Sequence, residues 1–138
     1  FLKSPNELKE VTNSELQWFV QPFQKSIQVK GEFSLFYFGG KFSHAINKMP
    51  KKGEYRSQEE YDSIVTSIKP TKEMSSLGEN ILSKIPVHTD YARVDIILDN
   101  EDNPQIVELE LIEPCLFIKY DDNAANNFTE HLLKLLKE

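Results

Sequence analysis

Short apolar runs broken by glycine, proline and polar turns dominate the first half of the chain, and a helical rhythm enters only later. "LQWFVQPF" reads as an apolar strand bent at Pro22. "SIQVKGEFSLFYFGGKFSHAINKMP" reads as strands joined by turns, with Gly39-Gly40 as the hairpin turn between "FSLFYF" and "KFSHAINK". The polar loop "KKGEYRSQ" leads to another strand in "YDSIVTSI", which is rich in β-branched residues. Pro70-Thr71 opens the clearest helix. Met74, Leu77, Ile81, Leu82 and Ile85 share one face, Gly78 leaves a gap in it, and Pro86 ends it. "YARVDIIL" and "QIVELELI" predict an antiparallel pair around "DNEDN". A last helix over 123–137 is expected to bury Ala125, Phe128, Leu132, Leu135 and Leu136. At the other end, Ser4-Pro5-Asn6-Glu7 has the capping-box arrangement and predicts a short helix over 5–11. Strands first and helices inserted late define an α+β class: a mainly antiparallel sheet with helices packed on it.

Composition narrows the function classes. With 138 residues, 39% hydrophobic and 11% aromatic, the chain reads as one domain, or a piece of one, with enough apolar material for a core. A net charge of −6 argues against a nucleic-acid partner. One cysteine, Cys115, excludes an intrachain disulfide framework and reads as a small buried hydrophobe. His44, His88 and His131 are scattered and form no ligand-spaced pair along the sequence. No run approaches a membrane span and no signal peptide is evident, so a cytoplasmic location without a membrane partner is expected. The opening Phe1, in mid-pattern, suggests a fragment of a longer protein.

The chemistry sits in "VELELIEP". At period two, Glu108 and Glu110 project from one side of their strand, opposite Leu109 and Leu111. A lone Glu-x-Glu is usually a solvated acidic face, and two like charges side by side call for a cation between them. Asp95 shares its strand face with Arg93 and Tyr91. If the hairpin loop is the even-length Asn100–Asn103, Asp95 falls opposite Glu108, and three carboxylates converge; one residue more would put them on opposite faces. Three oxygen ligands suit a hard divalent cation such as Mg²⁺ that shares its coordination with phosphates. A cationic patch complements them. Lys51 and Lys52 read as solvated loop residues, whereas Lys48 and Arg56 flank the loop on strand-like segments that can aim their charges at phosphate.

"FVQPF", "GEFSLFYFGGKFSHAINKMPKKGEYRSQ", "YARVDIIL" and "VELELIEP" together resemble the C-terminal half of an ATP-grasp ligase of the glutathione-synthetase-like branch. The resemblance runs over nearly the whole chain, so residues 1–138 would form a single domain, the C-terminal part of an ATP-grasp domain. It implies an ADP-forming carboxylate–amine or carboxylate–thiol ligase working through an acyl-phosphate, with ATP and Mg²⁺ or Mn²⁺ as cofactors. By the same resemblance, backbone near Gln21, Pro22 and Phe23 would hold adenine and Glu32 the ribose. Lys48 and Arg56 would contact phosphate and the developing acyl-phosphate. Asp95 and Glu108 match the metal carboxylates, and Glu110 stands where many relatives carry asparagine. The family's glycine-rich lid and nucleotide-binding lysines have no counterpart here, so the partners are a small carboxylate, an amine or thiol acceptor, and N-terminal domains of the same chain. Two other classes compete. A metal-dependent nuclease would want lysine where Glu110 stands, and the acidic charge is wrong for DNA. A non-catalytic nucleotide-binding or interaction module would not need Asp95, Glu108 and Arg56.

Overall fold

In the computed structural model of the chain, residues 6–7 and 21–137 are described. The capping box at Ser4, most of the helix over 5–11 and the strand "LQWFV" lie outside the described residues. Alternation carries the centre of the fold. Strand β1, Glu32–Phe38, pairs antiparallel with β2, Lys41–Met49, across the Gly39-Gly40 turn, as the pattern predicts. On the other side β1 pairs with β4, Tyr91–Leu98, which pairs in turn with β5, Pro104–Glu110. Strand β3, Ile64–Ile68, closes the opposite edge against β2. The five strands run in the order β3-β2-β1-β4-β5, all neighbours antiparallel. The class is α+β with an antiparallel sheet, in agreement with the sequence.

One face of that sheet is the apolar core. Leu35, Tyr37, Ala45, Ala92, Val94 and Ile96 are all buried there with Met74 of helix α2, Lys72–Leu82. The Thr71 hydroxyl caps α2 by accepting from the Met74 N–H at 3.3 Å. Gly78, a gap in the periodicity, has a packing reason. A methyl group there would overlap the Tyr37 hydroxyl, so the glycine lets helix and sheet approach closely. The phenol is pushed up to about 12, first by burial and then by the charge of Glu79.

Three expectations need correction. "SIQVK" is not extended: Ile27–Lys30 forms a single helical turn, α1, closed by the Gly31 N–H donating to Ile27 O. None of its residues is buried, and β1 already has a partner on each side, so no sheet edge recruits this segment. The final helix α3, Ala124–Leu135, turns a different face inward. Ala124 is buried and Asn127, Phe128, His131 and Leu135 are half-buried, while Ala125, Leu132 and Leu136 are exposed. Polar side chains decide that rotation: Asn127 donates to Ser43 Oγ at 3.1 Å, and His131 Nε2 lies 3.2 Å from Asp90 Oδ1. Cys115 is exposed, and its neighbour Pro114 takes the buried position. Among the described residues, no helix is long and apolar enough to cross a membrane.

Candidate functional site

The face of the sheet opposite α2 carries charge. Glu32, Ser34 and Phe36 of β1 lie across from Lys48, Ile46 and His44 of β2, and Ser34 and Phe36 lie across from Asp95 and Arg93 of β4. Glu108 and Glu110 of β5 sit opposite Asp95 and Arg93. The expected convergence is therefore present, but by a different route. The loop between β4 and β5 is Asp99–Asn103, one residue longer than the even-length loop. Ile96 pairs with Ile106, then the register shifts, so that Asp95 still pairs with Glu108. Val107 is the extra residue of this β-bulge. Long loop and bulge cancel, and the three carboxylates share a face.

The loop itself explains its length. The Asp99 carboxylate accepts from the N–H groups of Glu101 and Asn103 at 2.8 and 2.9 Å, and Asp102 adopts a left-handed φ of 70°. Asx turns of this kind stabilise a wider bend than a two-residue hairpin turn.

Arg93 is the cation that the paired glutamates call for. Its guanidinium brackets Asp95, with Nε 3.1 and 3.0 Å from the two carboxylate oxygens and a terminal nitrogen 2.8 Å from Oδ2. The same nitrogen donates to Glu110, tying two of the three acids to one planar fork. Ser34 Oγ donates to Asp95 Oδ1 at 2.5 Å, and Lys48 Nζ stands 3.7 Å from that oxygen. Lys48 also pairs with Glu32, whose second oxygen accepts from Ser57. Asp95 is 1% exposed and Lys48 5%, so desolvation makes this pairing obligatory. Burial alone would lower the Arg93 guanidinium, but hydrogen bonds and charge from Asp95, with Glu110 and Glu108, hold it above its usual value. Glu110 is pushed up, first by partial burial and then by its acidic neighbours Glu108 and Asp95, against the opposing pull of Arg93 and Lys48.

Glu108 is the exposed member of the cluster, and its carboxylate acts on Arg93 and Glu110 through its charge. Arg56 stands apart from the acids on its loop. Its guanidinium pairs with Glu54 at 2.5 Å and lies 3.8 Å over the Tyr61 ring, an exposed but preorganised arrangement. Lys51 pairs with Asp62 at the surface, as a solvated loop residue does. Gln21, Pro22 and Phe23 line a cleft of about 660 Å³ with Tyr55, Ile97 and Val107. Sequence reasoning did not single out Arg93, Ser34 and Ser57 as site residues. The signal for Arg93 was available in "RVD", where alternation places it beside Asp95; Ser34 and Ser57 depend on cross-strand register and loop closure.

One carboxylate oxygen from each of Asp95, Glu108 and Glu110 lies within 4.8 Å of the others. An all-oxygen donor set with excess negative charge fits a hard divalent cation. Asp95 already accepts from Ser34 and Arg93, and Glu110 from Arg93, whereas Glu108 is the exposed member of the three.

This architecture is the ATP-grasp ligase fold. The chain superposes on D-cycloserine synthetase DcsG with a TM-score of 0.66 at 23% identity, covering 84% of this chain and 41% of that one. It also matches a Bacillus anthracis D-alanine–D-alanine ligase complexed with ATP, with a TM-score of 0.51 at 20% identity over 77% of this chain and 36% of that one. The ATP-grasp ligase PsnB, complexed with a minimal precursor, gives 0.54 at 10% identity over 75% of this chain and 35% of its own. In sequence, the chain is 27% identical over 128 residues to the cycloserine biosynthesis protein DcsG of Streptomyces lavendulae, spanning 86% of this chain and 42% of that protein. The chain thus spans less than half the length of these relatives. No known family profile matches it.

Proposed function

We propose that this chain is the ATP- and Mg²⁺-binding portion of an ADP-forming ligase that joins a carboxylate to an amine or thiol through an acyl-phosphate. In this reading residues 1–138 are the C-terminal part of an ATP-grasp domain in a cytoplasmic protein, and other parts of a longer chain complete the cleft. The fold supports the class, and one similar ligase was solved with ATP. The observation that carries the proposal is the convergence of Asp95, Glu108 and Glu110 on one sheet face, with Arg93 and Lys48 interleaved.

The residues divide the work by position. The cleft beside Gln21, Pro22 and Phe23 takes the adenine, where backbone groups free of strand pairing can read a base edge. Glu32 orients the ribose, its two carboxylate oxygens already held in place, one by Lys48 and the other by Ser57. Glu108, Glu110 and Asp95 hold Mg²⁺, which supplies charge neutralisation across the phosphates when bound. Lys48, fixed between Glu32 and Asp95, presents a positive charge beside the metal acids. Arg56 reaches the transferring phosphoryl group, and its planar fork matches oxygens on which negative charge develops. No side-chain nucleophile is needed, because the substrate carboxylate attacks the γ-phosphate and the acceptor then displaces phosphate.

The test is steady-state ADP release by the full-length protein with MgATP and a panel of carboxylates and acceptors. Arg56→Lys should lower kcat about a hundredfold, roughly 3 kcal/mol, with little change in nucleotide binding. Glu108→Gln should weaken Mg²⁺-dependent nucleotide binding and turnover together. ADP release indifferent to Mg²⁺ and to both substitutions would refute the proposal.

A further inference from the structure

A second cluster of ligand-type side chains lies at the start of β4, away from the acids. Asp90 precedes Tyr91, the first residue of that strand, and five residues of extended chain separate Asp90 from Asp95, roughly 16 Å. His88 Nε2 is 3.3 Å and His131 Nε2 is 3.2 Å from the same oxygen, Asp90 Oδ1. The three ligand atoms lie within 4.8 Å of one another. The histidines are far apart in sequence, and α3 brings His131 back to the loop that carries His88.

The distances say what this arrangement fits. An N–H···O bond is ordinarily about 2.9–3.0 Å and reaches about 3.2 Å, so the His131 contact is a hydrogen bond at its long limit and the His88 contact lies beyond it. Around a tetrahedral zinc ion with ligand bonds of about 2.0–2.1 Å, neighbouring ligand atoms are about 3.3 Å apart. Both contacts match that edge. Two imidazole nitrogens and one carboxylate oxygen are a borderline-soft set that favours Zn²⁺, Co²⁺ or Ni²⁺ over Mg²⁺.

The surroundings hold the least exposed ligand in place. The His131 side chain is only 12% exposed, and its ring packs so closely on Gly39 that a Cβ there would come within 2.5 Å of Cε1 and Nδ1. The Gly39 N–H in turn donates to the Asp90 carbonyl at 2.8 Å, so the hairpin turn, the β4 entry and α3 meet at this point. His88, 71% exposed, gives solvent access and the freedom to complete the third edge. We infer that His88, Asp90 and His131 form a transition-metal site of the Zn²⁺ class, with water in the fourth position, which ties α3 to the sheet.

The test uses the untagged chain, stripped of metal and titrated with Zn²⁺ against a chromophoric indicator. One equivalent should bind with a Kd below about 10 μM, or about 7 kcal/mol, and about a hundredfold excess of Mg²⁺ should not displace it. Co²⁺ should give the intense visible bands of a tetrahedral complex. His88→Ala, at an exposed position that leaves packing intact, should weaken Zn²⁺ at least tenfold and abolish the zinc-induced rise in Tm; Asp90→Asn should do the same. Absence of saturable Zn²⁺ binding, an octahedral Co²⁺ spectrum, or parental affinity in both variants would overturn the assignment.

Discussion

The two faces of one sheet solve opposite problems with the same strands. Beneath α2, Leu35, Tyr37, Val94 and Ile96 are held by shape, and Gly78 is small because Tyr37 needs the room. On the other face, Ser34, Lys48, Arg93 and Asp95 are also buried, but each is held by a named partner. Apolar packing tolerates any side chain of the right volume, whereas a desolvated charge tolerates only a counter-charge in reach. That difference makes the polar face specific.

Removing the counter-charge should expose the contrast most sharply. Arg93→Met leaves Asp95 buried beside Ser34 and a lysine already shared with Glu32, so unfolding stability should drop by about 3–5 kcal/mol in urea melts. A loss under about 1 kcal/mol would mean that water already screens this face. On the apolar face, Gly78→Ala should cost about 1–3 kcal/mol through overpacking against Tyr37. Adding Tyr37→Phe removes the clashing oxygen and should recover part of that loss, which a double-mutant cycle would measure. Independent, additive effects would show that helix and sheet shift apart at no cost.

A smaller effect is expected at the covered end of the polar face. His44 stacks on Phe36 at 4.3 Å, and its Nε2 lies 2.9 Å from the Leu116 carbonyl. Burial lowers its pKa below the ordinary value of 6.5, outweighing the Leu116 carbonyl and the charge of Asp121. A lowered folded-state pKa means that the unfolded chain binds the proton more readily. The stability this contributes is therefore present above pH 6.5 and is lost as pH falls through the folded value. His44→Phe should flatten the decline of stability between about pH 7 and pH 5; parallel curves would refute the assignment. Least affected should be Glu108→Gln, whose exposed carboxylate makes the smallest of the acidic contributions to holding Arg93 charged. Its stability should stay within about 0.5 kcal/mol of the parent, which separates binding from folding at this residue.

Local periodicity and turn chemistry were enough to read the strands of the central hairpin and the helix after Thr71, because each depends on neighbours in sequence. The motif strings were also enough for the fold, since the similar solved chains are ATP-grasp ligases. Other features needed three dimensions. Hydrophobic periodicity placed Leu132 and Leu136 inward on the last helix, but hydrogen bonds from Asn127 and His131 to distant partners turned a different face to the sheet. The even-loop argument gave the right pairing through the wrong loop, because a bulge at Val107 offsets an extra residue that only cross-strand pairing reveals. Arg93 could be placed on the face from "RVD", yet its grip on both Asp95 and Glu110 depends on how two strands lie side by side. His88 and His131, scattered along the chain, meet at Asp90 only because α3 returns to the sheet. What the sequence determined is what short-range sterics and periodic burial encode; partners brought together across the sheet were decided by tertiary structure, because the cost of desolvating a charge depends on what stands beside it in space.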